Sequence, residues 1–81
     1  MPYNGWKNRE TWNVALWINN DERLYRAARE LMRRYKGRCP YKDFFLALHL
    51  EGQRTPDGVS YGGSRLAYSE LNAMMRELKS E

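Results

Sequence analysis

Asn8-Arg9-Glu10-Thr11-Trp12-Asn13-Val14-Ala15-Leu16-Trp17-Ile18-Asn19-Asn20 is the most apolar and least charged run of the chain. At about 100° per residue, Trp12 and Leu16 fall on one side of a helix and Val14 and Ile18 on another. Thr11 and Ala15 lie between them, Trp17 sits on the far flank, and Asn13 and Asn20 share the one polar edge. A helix apolar nearly all round is normally buried between other elements. The pattern therefore predicts a central helix over residues 8–20, with Trp12 and Leu16 largely buried and the rest of the chain packed around it.

Eighty-one residues make one domain. A core this small must be dense in large side chains, and the three Trp, six Tyr and two Phe supply that density. The lone Cys39 has no intrachain disulfide partner, and no apolar run approaches the roughly 18 residues of a membrane span. Trp6-Lys7-Asn8-Arg9-Glu10 interrupts any signal-peptide pattern at the amino terminus. These features predict a protein of the reducing cytoplasm that does not engage a membrane.

Outward from the first helix, residues 1–7 read as an extended lead anchored by Tyr3 and Trp6. Asn8 suits the N-cap, with Glu10 at the positive end of the helix dipole. A second helix restarts at Asn20 or Asp21 and runs over 21–36, with Gly37 as its stop. Its Leu24, Tyr25, Ala27, Ala28, Leu31, Met32 and Tyr35 fill roughly 160° of apolar face, and its basic residues take the remainder. Cys39-Pro40 opens a third helix over 40–51, closed by Gly52. Tyr41, Phe44, Phe45 and Leu48 form one side of it, with Leu46 and Leu50 opposite. Residues 53–64 form the one real loop, with a turn at Thr55-Pro56-Asp57-Gly58. Val59 and Tyr61 alternate as a strand would, but a lone strand has nothing to pair with, so coil is expected. A fourth helix over 65–79, capped by Ser64 or starting later at Ser69, turns Leu66, Leu71, Met74, Met75 and Leu78 inward. The fold expected is all-α, a single domain of four helices.

Charge singles out the second helix. The net charge is +4, and the whole excess lies between Asp21 and Arg38, where seven basic residues face three acidic ones. Glu22, Arg26, Glu30 and Arg34 form an alternating ladder that stabilises an exposed helix by about 0.2–0.5 kcal/mol per pair. Arg29 and Arg33, four apart and of the same sign, cost a similar amount, and Lys36 and Arg38 extend the strip. A helix selected only for its own stability gains nothing from such a strip, which is either a merely solvated face or the contact for an anionic partner. Arg23, Arg26, Arg29, Arg33, Lys36 and Arg38 are the candidate contact residues.

Asn4-Gly5-Trp6, followed by Asn8-Arg9-Glu10-Thr11-Trp12-Asn13-Val14-Ala15-Leu16-Trp17 and Asp21, resembles the opening of a family of small proteins found in phages, plasmids and some bacterial genomes. That family carries a Trp, then an Asn-x-Glu-Thr-Trp-x-Val motif, a Leu-Trp pair and an acidic residue. Asp57-Gly58-Val59 and Glu70-Leu71 are similar too, so the resemblance covers both ends of the chain. It implies an association with mobile elements and names no activity.

Catalytic constellations are weak. His49, the one histidine, lies six residues after Asp43 and ten after Cys39 on the expected third helix, and neither separation gives a shared face for a Cys-His-Asp nucleophile. One Cys and one His fall short of the four ligands of a structural zinc. Gly58, Gly62 and Gly63 lack the lysine and hydroxyl of a nucleotide-binding loop. Trp12 and Trp17, at helical spacing in an apolar run, fit a core better than a base-stacking platform.

The function expected is therefore non-enzymatic, without metal or cofactor: an accessory protein of a phage or mobile element in the host cytoplasm. Its basic helix would bind an acidic surface on a host protein or nucleoprotein complex. An inhibitor of a host defence or nucleic-acid-handling complex, of anti-CRISPR or anti-restriction type, fits this description. The alternative is a direct, sequence-tolerant nucleic-acid binder gripping phosphates with its arginines. A helix-turn-helix arrangement is disfavoured, because the helix after the basic one has apolar residues on both sides and no polar recognition face.

Overall fold

Asn8 starts the first helix as expected. In the computed structural model, which describes residues 5–79, its side chain accepts hydrogen bonds from the Thr11 amide at 2.9 Å and the Thr11 hydroxyl at 2.6 Å. Helix α1 then runs Arg9–Asn20. It buries Thr11, Val14, Ala15 and Ile18, the i, i+3, i+4, i+7 stripe of an ordinary surface helix, and adds Asn13 on the flank. Trp12, Leu16 and Trp17 are only half-buried, which corrects the expectation of a helix covered all round. The reason is topological: α1 packs on the second and fourth helices and, among the described residues, not on the third. A helix with two neighbours keeps one side open. Tyr3 lies outside the described residues, whereas Trp6 is half-buried and packs on the core.

Asp21 ends α1 and caps the next helix, its carboxylate accepting from the amides of Arg23 and Leu24 at 3.0 and 3.2 Å. Helix α2 spans Glu22–Arg34 and buries Leu24, Ala28 and Met32. It stops before the expected Lys36. Tyr35 takes an extended backbone conformation, and its hydroxyl donates to Asp43 Oδ2 at 2.6 Å while accepting the Cys39 amide at 3.0 Å. Those bonds draw the chain out of the helix and across to α3.

Helix α3 is Pro40–Ala47, with Pro40 in the first turn. It ends short of the expected 51 because His49 adopts a left-handed conformation, φ +55°. The His49 amide donates to the Leu46 carbonyl and the Leu50 amide to the Phe45 carbonyl, which satisfies the orphan carbonyls of the last turn. Leu50 is then buried in the core.

Residues 53–64 do more than coil. The Gly58 amide closes the turn on the Thr55 carbonyl at 2.8 Å, the Thr55 amide bonds the Val59 carbonyl at 2.8 Å, and Arg54 pairs with Ser60 in an antiparallel bridge. Val59 and Tyr61 thus find their partner in the residues just before them. Gly58, at φ +87°, supplies the left-handed residue with which such a three-residue hairpin loop ends.

Helix α4 is Tyr68–Lys79. Leu66 just before it, with Leu71, Met74, Met75 and Leu78, is buried as expected. The start comes later than Arg65 because the backbone there is committed to the first helix: Asn8 Nδ2 donates to the Arg65 carbonyl at 2.8 Å, and the Ala67 amide donates to Thr11 Oγ1 at 2.9 Å. Neither Ser64 nor Ser69 sets the boundary. Helices α2 and α4 each meet the three others, so the centre of the domain is their contact and not α1. The architecture is all-α, four helices around one core.

Candidate docking surface

The buried face of α2 dictates where its charges go. With Leu24, Ala28 and Met32 turned to the core, Arg23, Arg26, Arg29, Arg33 and Arg34 are all exposed. Glu22 pairs with Arg26 as the ladder requires. Glu30, however, pairs with Arg33 at 3.1 Å, one residue short of the expected Arg34. These side chains are well exposed, so each pair is worth about 0–1 kcal/mol. Arg29 stands over the Tyr25 ring with its guanidinium carbon 5.9 Å from the centroid, an attraction of about 0.5–1 kcal/mol at an exposed site. Arg29 and Arg33 therefore each have a favourable neighbour, and their mutual repulsion is partly offset.

Lys36 and Arg38 are exposed but lie beyond the end of α2. The strip is not one straight helical face; it bends with the chain at Tyr35. Arg23, Arg34, Lys36 and Arg38 make no ion pair among the described residues. At the bend two further cations join from α4: Arg76 donates to the Arg38 carbonyl and Lys79 to the Tyr35 carbonyl, each at 2.9 Å. Both bonds use neutral carbonyl acceptors. Sequence reasoning missed Arg76 and Lys79. Cations in a last turn are common because they complement the helix dipole, and nothing in their spacing reveals that they meet residues 35–38.

The residues weighed for catalysis are not brought together. Asp43 is engaged by Tyr35, whose hydroxyl is held above its ordinary range by partial burial and then by that bond. His49 lies in the turn after α3, not on the helix, and lines a shallow depression with Arg23, Leu24 and Leu48. Cys39, exposed at the start of α3, lines a different one. Among the described residues, no three His, Cys, Asp or Glu side chains group as a metal site would need. Among the described residues, no helix is long and apolar enough to cross a membrane.

A second polar cluster involves the residues that carried the family resemblance. Asp57 Oδ2 accepts from Asn13 Nδ2 at 2.8 Å and from Trp17 Nε1 at 2.9 Å, and Thr55 Oγ1 donates to Asn13 Oδ1 at 2.6 Å. The bonds from Asn13 and then Trp17 hold the Asp57 carboxyl below its ordinary range. Lys7, whose amide donates to Glu70 Oε1 at 2.9 Å, ties the chain entry to α4. This cluster clasps the hairpin loop to α1, and the Lys7 amide ties the entry of α1 to the start of α4.

The molecule is a small all-α domain whose most concentrated uncommitted chemistry is a cationic surface. It belongs to a family of unknown function, DUF7249, whose model matches residues 1–81. No curated protein and no solved structure matches the chain.

Proposed function

We propose that the chain is a non-enzymatic accessory protein of a phage or other mobile element that docks its α2 surface on an acidic surface of a host protein or nucleoprotein complex. A defence or nucleic-acid-handling complex in the host cytoplasm is the kind of target meant. The observation that carries this reading is the mixture on the strip: Glu22 and Glu30 stand among the arginines, paired with Arg26 and Arg33, and Tyr25 lies beneath Arg29. A phosphate-tracking surface gains nothing from interleaved carboxylates. Arginine and tyrosine on a rigid helix, by contrast, are the residues that dominate protein interfaces.

Direct nucleic-acid binding is the second reading, favoured by Arg34, Lys36 and Arg38, which lie at and beyond the bend and make no ion pair among the described residues. Changing Arg29 and Arg33 together to Glu tests both. The double variant should fold with a loss under about 1 kcal/mol, since only exposed pairs change. Its capture of the host partner should fall by about tenfold or more, because the attraction reverses sign. Capture by the parent should survive nuclease digestion of the lysate. Loss of capture on digestion, with affinity for free nucleic acid that drops steeply in salt, establishes the second reading instead. Capture by the double variant equal to the parent's eliminates the strip as a contact surface.

A further inference from the structure

The two most exposed large apolar side chains, Leu46 at 46 % and Tyr68 at 39 %, line the same groove between α3 and α4. Its walls also include Cys39, Lys42, Phe45 and Gly62. Several bonds and contacts hold these walls in place. Tyr68 Oη donates to the Gly63 carbonyl at 2.7 Å, and the Tyr41 amide donates to Asn72 Oδ1 at 2.9 Å. Phe45 presses its ring edge so closely on Gly62 that a Cβ there would lie 2.7 Å from Phe45 Cζ. Such a groove is largely formed before any ligand arrives, which lowers the cost of binding.

Charge says what would fill it. Among the described residues, Lys42 is the one charged residue on the walls, and no carboxylate lines them. At the Cys39 end the chain continues into Arg38, whose carbonyl holds the Arg76 guanidinium. Asp43, the nearest acid in sequence, is engaged by Tyr35. An apolar floor with Lys42 on its wall complements a segment that sets an aliphatic or aromatic anchor beside a carboxylate. We propose that this groove binds an acidic–apolar peptide segment of a partner protein, at a site distinct from the α2 strip and independent of whether that strip binds anything.

The test uses the full chain as bait for a yeast-displayed library of random peptides, with the recovered peptides then synthesised and labelled for anisotropy. Recovered sequences should pair Asp or Glu with Leu, Phe or Trp. Leu46→Asp and Lys42→Glu should each weaken them by about tenfold or more, the range in which a central interface residue acts. Lys42 is exposed, so its variant stays informative even if Leu46→Asp unfolds. Bound peptide should also slow the reaction of Cys39 with a thiol reagent several-fold, while Arg29→Glu with Arg33→Glu leaves peptide affinity unchanged. Any one of three results overturns the proposal: no peptides or only neutral and basic ones recovered, unchanged affinity in both groove variants, or a Cys39 that reacts as fast with peptide as without. Sedimentation showing that the free chain dimerises through Leu46 overturns it as well, because a second copy then fills the groove.

Discussion

Asp57 is exposed, yet it accepts two hydrogen bonds from side chains of a helix 40 and 44 residues away in sequence. Both bonds favour the charged carboxylate, so its folded-state pKa lies below the ordinary aspartate value of 3.8. A depressed carboxylate contributes stability above its unfolded value and loses it as pH falls through the folded one. The expected outcome is that the parent exceeds Asp57→Asn in urea midpoint near neutrality, and that the gap closes as pH drops below about 3.8. A gap that stays constant down to about pH 2 removes the ionisation from the explanation. His49 makes the opposite case, a residue at odds with its backbone. At φ +55° a side chain costs about 1 kcal/mol relative to glycine, and the imidazole is exposed and makes no hydrogen bond among the described residues. His49→Gly should therefore raise the thermal midpoint by a few degrees, as calorimetry would read it, and a lower midpoint would show that the imidazole stabilises the turn. Neither residue's role was visible beforehand, because hydrogen bonds between distant segments and a left-handed cap on histidine leave no periodic trace in the sequence.

At the scale of helices, periodicity carried much further. The α2 apolar face and the inward set of α4 came directly from 3.6-residue spacing, since each has a contiguous buried side. The first helix misled because aromatic and aliphatic residues flank its true stripe: Trp12 and Leu16 cover the edges of the contact while Val14 and Ile18 fill it, fully buried. Ile18→Ala should accordingly cost about 2–5 kcal/mol. Trp12→Ala, which removes a ring that is only partly buried, should cost measurably less by denaturant unfolding. The reverse order would restore Trp12 to the core. Helix ends were the least legible feature, for one physical reason. Tyr35, His49 and Ala67 each break a helix to satisfy a polar group on another element or in the adjoining turn, and such demands come from tertiary contacts.

Across the whole molecule, the basic strip was legible because composition alone localises charge, whereas its bend onto α4 needed Arg76 and Lys79 to be seen beside residues 35–38. The apolar groove was not legible at all. Leu46 was expected on a side of its helix opposite Phe44, with one of the two sides only partly covered, and only the arrangement of α3 against α4 sets it beside Tyr68 in a groove. If both proposals hold, the α2 strip on an acidic surface and the α3–α4 groove on an acidic–apolar segment would let a domain of 81 residues bridge two sites on a target. The Asn13, Trp17 and Asp57 clasp adds a consequence of another kind. An indole whose N–H is bonded to a carboxylate sits in a distinctive electric field, and Trp17 donates to Asp57 at 2.9 Å. Its emission is thus a built-in optical gauge of whether the hairpin loop is seated, so detachment of the loop can be timed separately from melting of the core.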